Sequence, residues 1–246
     1  MSQAILELNF RFSSTKGAPV KTFRNILLAA TCLVIGVSTA QAIAPDFMDK
    51  LAADARPAED KIRDGARRPY QVMMLLGVEE GMTVVDIGAG GGWWSWVFSA
   101  AVGPEGTVYA QGLRGGGGPV GELSNVEVVA SLDDIAAGSV DAAVTALNIH
   151  HSNAERAGPY MQGIVRILKS GGVAAIIDHV GDPSVDNSRL HRVPTAEVRD
   201  WIEASGLEIV EESDILRQNA DDHTLSATDP RLGRNPDRFL FVVRKP

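Results

Sequence analysis

A single cysteine in 246 residues excludes an internal disulfide, and with it any disulfide-stapled scaffold. Basic residues are the minority, 23 against 31 acidic for a net charge of −8, and they form no stripe. A general nucleic-acid binder would show a basic face, so that class is excluded. No apolar stretch is long enough to span a bilayer: the run 26–37 has 12 residues, where about 20 are needed. Internal repeats are absent, which rules out a solenoid. What is present is a 45% hydrophobic, 22% charged composition, enough to bury a core without metal staples. At about 100–200 residues per domain, the length fits one domain with a short appendage.

The appendage is the N-terminus. Lys21 and Arg24 precede the apolar run 26–37, and Ala40-Gln41-Ala42 supplies small residues at the two positions a signal peptidase requires. Residues 1–42 are therefore expected to be an N-terminal extension and a cleavable secretory signal, with cleavage after Ala42. The exported product would be periplasmic or secreted, with no membrane anchor after cleavage; the alternative is a cytoplasmic protein that keeps the segment as a core helix. Cys32 lies inside the apolar run and leaves with it. Removing four basic residues (Arg11, Lys16, Lys21, Arg24) and one acidic residue (Glu7) leaves a thiol-free domain, 43–246, with 19 basic and 30 acidic residues. Its charge of −11 repels phosphate backbones.

Within that domain the hydrophobic period alternates between helix and strand. Residues 44–76 are helical and charged, punctuated by Arg56-Pro57 and Arg67-Arg68-Pro69. Short β-branched runs at 83–87, 107–111, 126–130, 140–147 and 173–178 are predicted strands, with helices at 93–102, 159–168 and 196–205. Segments 207–213 and 238–244 are predicted to close the sheet as an antiparallel pair. This alternation predicts an α/β fold: a doubly wound, mostly parallel seven-stranded sheet with an antiparallel edge. The Gly115–Gly118 run is expected to be a flexible spacer.

The first strand runs into Asp86-Ile87-Gly88-Ala89-Gly90-Gly91-Gly92-Trp93-Trp94. A dinucleotide fingerprint would need G-x-G-x-x-G and an acidic residue about 20 positions on. Counting from Gly88 puts Trp93 at the third glycine, counting from Gly90 puts Ser95 there, and the second strand ends in Gln111. The nicotinamide reading fails. A phosphate loop fails too, for want of a following Gly-Lys-Ser/Thr.

The spacing that fits is D-x-G-x-G-x-G, on Asp86, Gly88, Gly90 and Gly92. With it the chain resembles the class I S-adenosylmethionine-dependent methyltransferases over nearly all of 43–246, in order: Asp133-Asp134 after the third strand, Asn148 after the fourth, and Leu168-Lys169-Ser170-Gly171-Gly172 before the fifth. Within that class it is similar to a group of predicted bacterial methyltransferases that carry a signal peptide. Arg56-Pro57-Ala58-Glu59-Asp60, Asn148-Ile149-His150, Asp178-His179, Leu190-His191-Arg192, Glu212-Ser213-Asp214-Ile215-Leu216 and Ala220-Asp221-Asp222 carry that likeness. The resemblance implies a Rossmann-like methyltransferase fold, S-adenosylmethionine as cofactor and a small-molecule acceptor. It also implies cofactor contacts from Asp86, Gly88, Ala89, Gly90, Gly92, Gln111, Asp133 and Asn148. Asp86 would answer the cofactor's positive charges. Trp93 and Trp94 are either a cation–π partner for the sulfonium or plain pocket wall. Gln111 departs from the family, which ends the second strand in an acidic residue; an amide binds ribose hydroxyls without charge assistance.

All five histidines follow position 149: His150, His151, His179, His191 and His223. His150 and His179 fall at the carboxyl ends of strands, where doubly wound sheets bind ligands. His150 is the expected base toward a hydroxyl or amine acceptor, with Asp178 or His179 orienting it. Hydrogen-bonded pocket histidines are the plainer alternative. A divalent-metal site on Asp178, His179, His191 and Asp222 is another, but the spacings match no standard site, so no metal is expected. Against methyl transfer stands an exported small-ligand-binding protein on the same scaffold, since fold does not fix function.

Overall fold

The computed structural model describes residues 42–246; the expected signal segment, with Cys32, lies outside them apart from Ala42. Four short helices open the domain: α1 (Phe47–Ala52), α2 (Ala58–Lys61), α3 (Asp64–Arg67) and α4 (Pro69–Leu75). There follow β1 (Thr83–Gly90), α5 (Trp93–Val102), β2 (Thr107–Leu113), β3 (Val126–Val129) and β4 (Val140–Ala146). The chain continues with α6 (Ala154–Ile167), β5 (Leu168–His179), α7 (Asn187–Leu190), α8 (Thr195–Ser205), β6 (Glu208–Glu212) and β7 (Arg238–Arg244). The sheet order is β3-β2-β1-β4-β5-β7-β6. All pairs from β3 to β5 are parallel, and β7 runs antiparallel to both neighbours. This is the expected doubly wound sheet with its antiparallel closure.

Period-two alternation divides the strands between two cores. Val84, Ala142, Ile177 and Val242 face α1, α4 and α5; Val85, Ala143, Ile176 and Phe241 face α6 and α8. Helix α5 is buried along its whole length, so it is apolar all round instead of amphipathic. From β1 the chain winds first to β2 and β3, then crosses back to β4 on the other side. That reversal falls at the carboxyl ends of β1 and β4, the place where doubly wound sheets bind ligands.

Several elements differ from expectation; β5 begins at Leu168, so the Leu168–Gly172 segment expected to precede the fifth strand is part of it. Strand β1 runs on through the glycines to Gly90, because Gly90 pairs with Leu113 and its carbonyl accepts the Arg114 N–H at 2.8 Å. Helix α6 begins before Pro159, at an Asn153 cap whose side chain accepts the Arg156 N–H. The glycine run after β2 is a 3-10 turn, Gly115–Glu122, held by buried Val120, and is not a loose spacer.

Candidate active site

The three motif glycines do different work. Gly88 has a left-handed φ of 68°, and a Cβ there would sit 2.5 Å from the Asn148 amide. Asn148 takes that place by donating to the carbonyls of Ile87 and Ala146, both at 3.0 Å. A Cβ on Gly92 would meet Val120 at 2.9 Å and Leu113 at 3.0 Å. Those two positions are closed by packing. Gly90, φ 58°, is different: the nearest side chain to its Cβ position is the Arg114 guanidinium at 3.7 Å. Room for a ligand therefore lies over Gly90 and the neighbouring Ala89, with a cation at its rim. Gly88→Ala is expected to cost about 2 kcal/mol or more, from left-handed strain plus the clash. Pairing it with Asn148→Ala should recover only the clash part in urea unfolding.

Asp86, on the same strand four residues before Gly90, is 2% exposed and accepts the Ser95 hydroxyl at 2.7 Å. Burial pushes its carboxyl up to about 6, against the Ser95 bonds and the Arg67 charge. It has no ion-pair partner among the described residues. Gln111 is already engaged: its carbonyl accepts the Gly88 N–H at 3.0 Å and its amide donates to Ala130. The expected ribose contact is thus spent on joining the ends of β1, β2 and β3. Asp133 stands exposed beyond β3, 3.5 Å from Arg166, away from the opening's buried groups. Trp93 is core; its indole donates to the Asp60 carbonyl at 2.9 Å, and Arg56 and Arg67 cover its ring. Its cationic partners are the chain's own arginines, and Trp94 is pocket wall beside Arg67 and Arg238.

Beside this, past β4 and β5, lies a cavity of about 530 Å³ lined by Arg63, Arg67, Leu147, His179, Asp229 and Arg234 among others. Its Asp229 carboxylate is held by Arg231, at 2.9 and 2.7 Å. Arg67 has no hydrogen-bond or ion-pair partner among the described residues; burial lowers its pKa to about 10, leaving it a cation at neutral pH. Arg238, behind it, is likewise lowered to about 10 by burial, and its Nε has no partner. An unpaired, partly buried guanidinium facing a cavity is a ready anion receptor.

The structure redistributes the expected catalytic roles. Asp178, fully buried, accepts the His179 N–H at 2.7 Å, the His150 N–H at 3.0 Å and His150 Nδ1–H at 2.8 Å. With its oxygens so engaged it orients His150 and not an acceptor. His150 is not among the cavity's lining residues; its ring lies beside those of His151, His191 and His179, with centroids 4.0, 5.5 and 5.8 Å off. His179 is the histidine that lines the cavity: Nδ1–H donates to the His191 carbonyl at 3.0 Å, which leaves Nε2 as an acceptor. Burial takes the His179 imidazole down to about 4, so it is neutral at pH 7. Asp222 only closes a turn with Thr224, and His223 bonds Asp237 at 2.9 Å, so neither joins the cluster. Arg67 and Arg114, the cations that border the cavity and the Gly90 position, are the candidate site residues that sequence reasoning missed. Arg67 registered there as helix punctuation, and no local pattern marks a guanidinium that will stay unpaired.

No protein-family model matches this chain, and no curated protein matches it in sequence. Solved structures do. A SAM-dependent methyltransferase from Aquifex aeolicus is 21% identical, covering 79% of this chain and 96% of its own, at a TM-score of 0.54. The Burkholderia thailandensis 1,6-didemethyltoxoflavin-N1-methyltransferase, solved with its substrate and S-adenosylhomocysteine, is 18% identical over 81% of this chain and 85% of its own, TM-score 0.55. A geranyl diphosphate methyltransferase solved with SAM is 13% identical over 84% of this chain and 98% of its own, TM-score 0.57. The fold of this chain is the Rossmann-like methyltransferase fold.

Proposed function

We propose that this protein is an S-adenosylmethionine-dependent methyltransferase acting on a small-molecule acceptor that carries an anionic group. The observation that carries the reading is Asp86, a buried carboxylate without a cation on the strand that runs into the glycine loop, where Gly90 and Gly91 leave room for a ligand. The residues fit the cofactor: Gly90 and Ala89 give it space, Asp86 answers its positive charge, and Arg114 stands ready for its carboxylate. When bound, the cofactor supplies a methyl group made electrophilic by a sulfonium. The chain's part is alignment, since an in-line displacement is governed by approach geometry. Arg67, with Arg63 and Arg234, holds the acceptor's anionic group in the 530 Å³ cavity. His179 Nε2 accepts the hydrogen bond of the acceptor's O–H or N–H and so aligns it; the proton released on transfer passes to water. Geranyl diphosphate, the acceptor named for one structural neighbour, is an anion of this kind.

Incubation with methyl-labelled S-adenosylmethionine and a panel of carboxylated and phosphorylated metabolites tests this. Label is expected on an anionic acceptor, and Arg67→Leu is expected to lower kcat/KM about 10–100-fold, the loss of one charged hydrogen bond. Transfer confined to uncharged acceptors, or none at all, would contradict it. The engaged Gln111 amide favours a second reading, a binding protein that holds a different small ligand without methyl transfer. Mass spectrometry of copurified ligands separates the two: S-adenosylhomocysteine supports the transferase. We further propose export, on the strength of the 21–42 pattern alone. N-terminal sequencing should find Ile43 first in the exported protein.

A further inference from the structure

We propose that His150, His151 and His191, none of which lines the acceptor cavity, form a binding site for one divalent transition metal of the zinc type. One ring nitrogen of each lies within 4.8 Å of the other two. Ligands about 2.0–2.1 Å from a shared zinc stand somewhat closer than that, so small side-chain rotations close the site. The decisive feature is behind the cluster. His150 Nδ1–H is bonded at 2.8 Å to Asp178, a fully buried carboxylate held by two backbone N–H groups. That bond fixes the tautomer and turns the Nε2 lone pair outward, the arrangement by which carboxylates orient metal-binding histidines. Asp178 itself is an alternative ligand with His150 and His179. Its oxygens are already engaged by N–H donors, so it serves as the orienting group and the three imidazoles as the ligands.

His191 is placed as firmly. It ends α7 in the left-handed conformation, φ 52°, and its carbonyl accepts the His179 ring. Helix α7 packs against the short 3-10 turn Ile149–His151 that carries the other two. A bound ion would therefore clip the β4 end to the segment after β5. Imidazole donors without thiolates select zinc, nickel, cobalt or copper over magnesium and calcium. Three ligands, with His151 exposed, leave a fourth position open to water or a small anion. The site does not rest on the methyltransferase reading, because His179 Nε2 belongs to neither the ligand set nor its orienting bond.

The test uses tag-free, full-length protein stripped with chelator, titrated with zinc and with cobalt, alongside a separate titration with S-adenosylhomocysteine. One equivalent of metal, with the visible absorption of four-coordinate cobalt, is expected. His151→Ala and His191→Ala should each weaken metal binding at least tenfold, and Asp178→Asn about 10–100-fold. His151 is exposed, so its variant is expected to keep its melting temperature, which a purely structural loss would lower. Absence of binding to the stripped protein, or affinity unchanged in both histidine variants, would overturn the site. Loss of S-adenosylhomocysteine binding alone would count against the methyl-transfer reading and leave the metal site standing.

Discussion

Arg192→Ala should destabilise the protein by about 3–5 kcal/mol, the typical cost of removing one partner from a buried ion pair. The Arg192 side chain is 1% exposed and fully bonded: Nε to Leu225, Nη1 to Val180, and Nη2 to both oxygens of Asp221 at 2.9 and 2.8 Å. Asp221 in turn accepts the Asp237 N–H at 2.7 Å, and Asp237 accepts Arg217 and His223. This network ties the segment 213–237, which contributes Asp229 and Arg234 to the cavity, down onto β5 and β7. Without Arg192 the Asp221 charge stays buried with only N–H partners. Burial opposes ionisation of Asp221, but its hydrogen bonds from Asp237, Arg192 and His223 outweigh that and hold it below the usual carboxylate range. A depressed pKa contributes stability above about pH 4 that is lost as pH falls further. Urea unfolding of the wild type should therefore weaken below pH 4. Arg192→Ala should have already lost most of that acid-sensitive part. Replacing both residues by apolar ones of similar size should cost less than the single change, since no lone charge is then buried.

Asp86→Asn should move stability and affinity in opposite directions. The wild-type carboxyl is raised from 3.8 to about 6 by burial. A raised acid weakens the folded state progressively as pH rises between those values and by a constant amount above them. Two pKa units correspond to about 3 kcal/mol. Asparagine keeps an acceptor for the Ser95 hydroxyl and removes the buried charge. The ligand-free variant should thus gain up to about 3 kcal/mol at pH 7 and show a flatter profile between pH 4 and 6. Its affinity for S-adenosylmethionine should fall about 10–100-fold, the worth of a charged contact. A variant that loses stability at pH 7, or binds cofactor as tightly as wild type, would contradict the role assigned to Asp86.

How much of this was legible in the chain depends on the range of the forces involved. Helix α5 was predicted to the residue, since Gly92 and Gly103 flank ten residues that are buried on every side. The extension of β1 through Gly90 was not, because it depends on pairing with Leu113 on another strand. Likewise, the spacing of Gly88 marked a close approach without saying to what; the answer, Asn148, is 60 residues away. His150, Asp178 and His179 were correctly gathered at one sheet edge by their places after strands. Their division of labour is set by the three N–H groups that converge on Asp178, and no local pattern encodes that. The charges were hardest: Arg192 is partnered and Arg67 is not, and only the fold distinguishes them.

Titration calorimetry with S-adenosylhomocysteine tests the central claim most directly. The protein is expected to bind one equivalent, with affinity reduced about 10–100-fold in Asp86→Asn. Absence of heat at high micromolar ligand, or binding indifferent to Asp86, would contradict the assignment of the Gly90 opening to this cofactor.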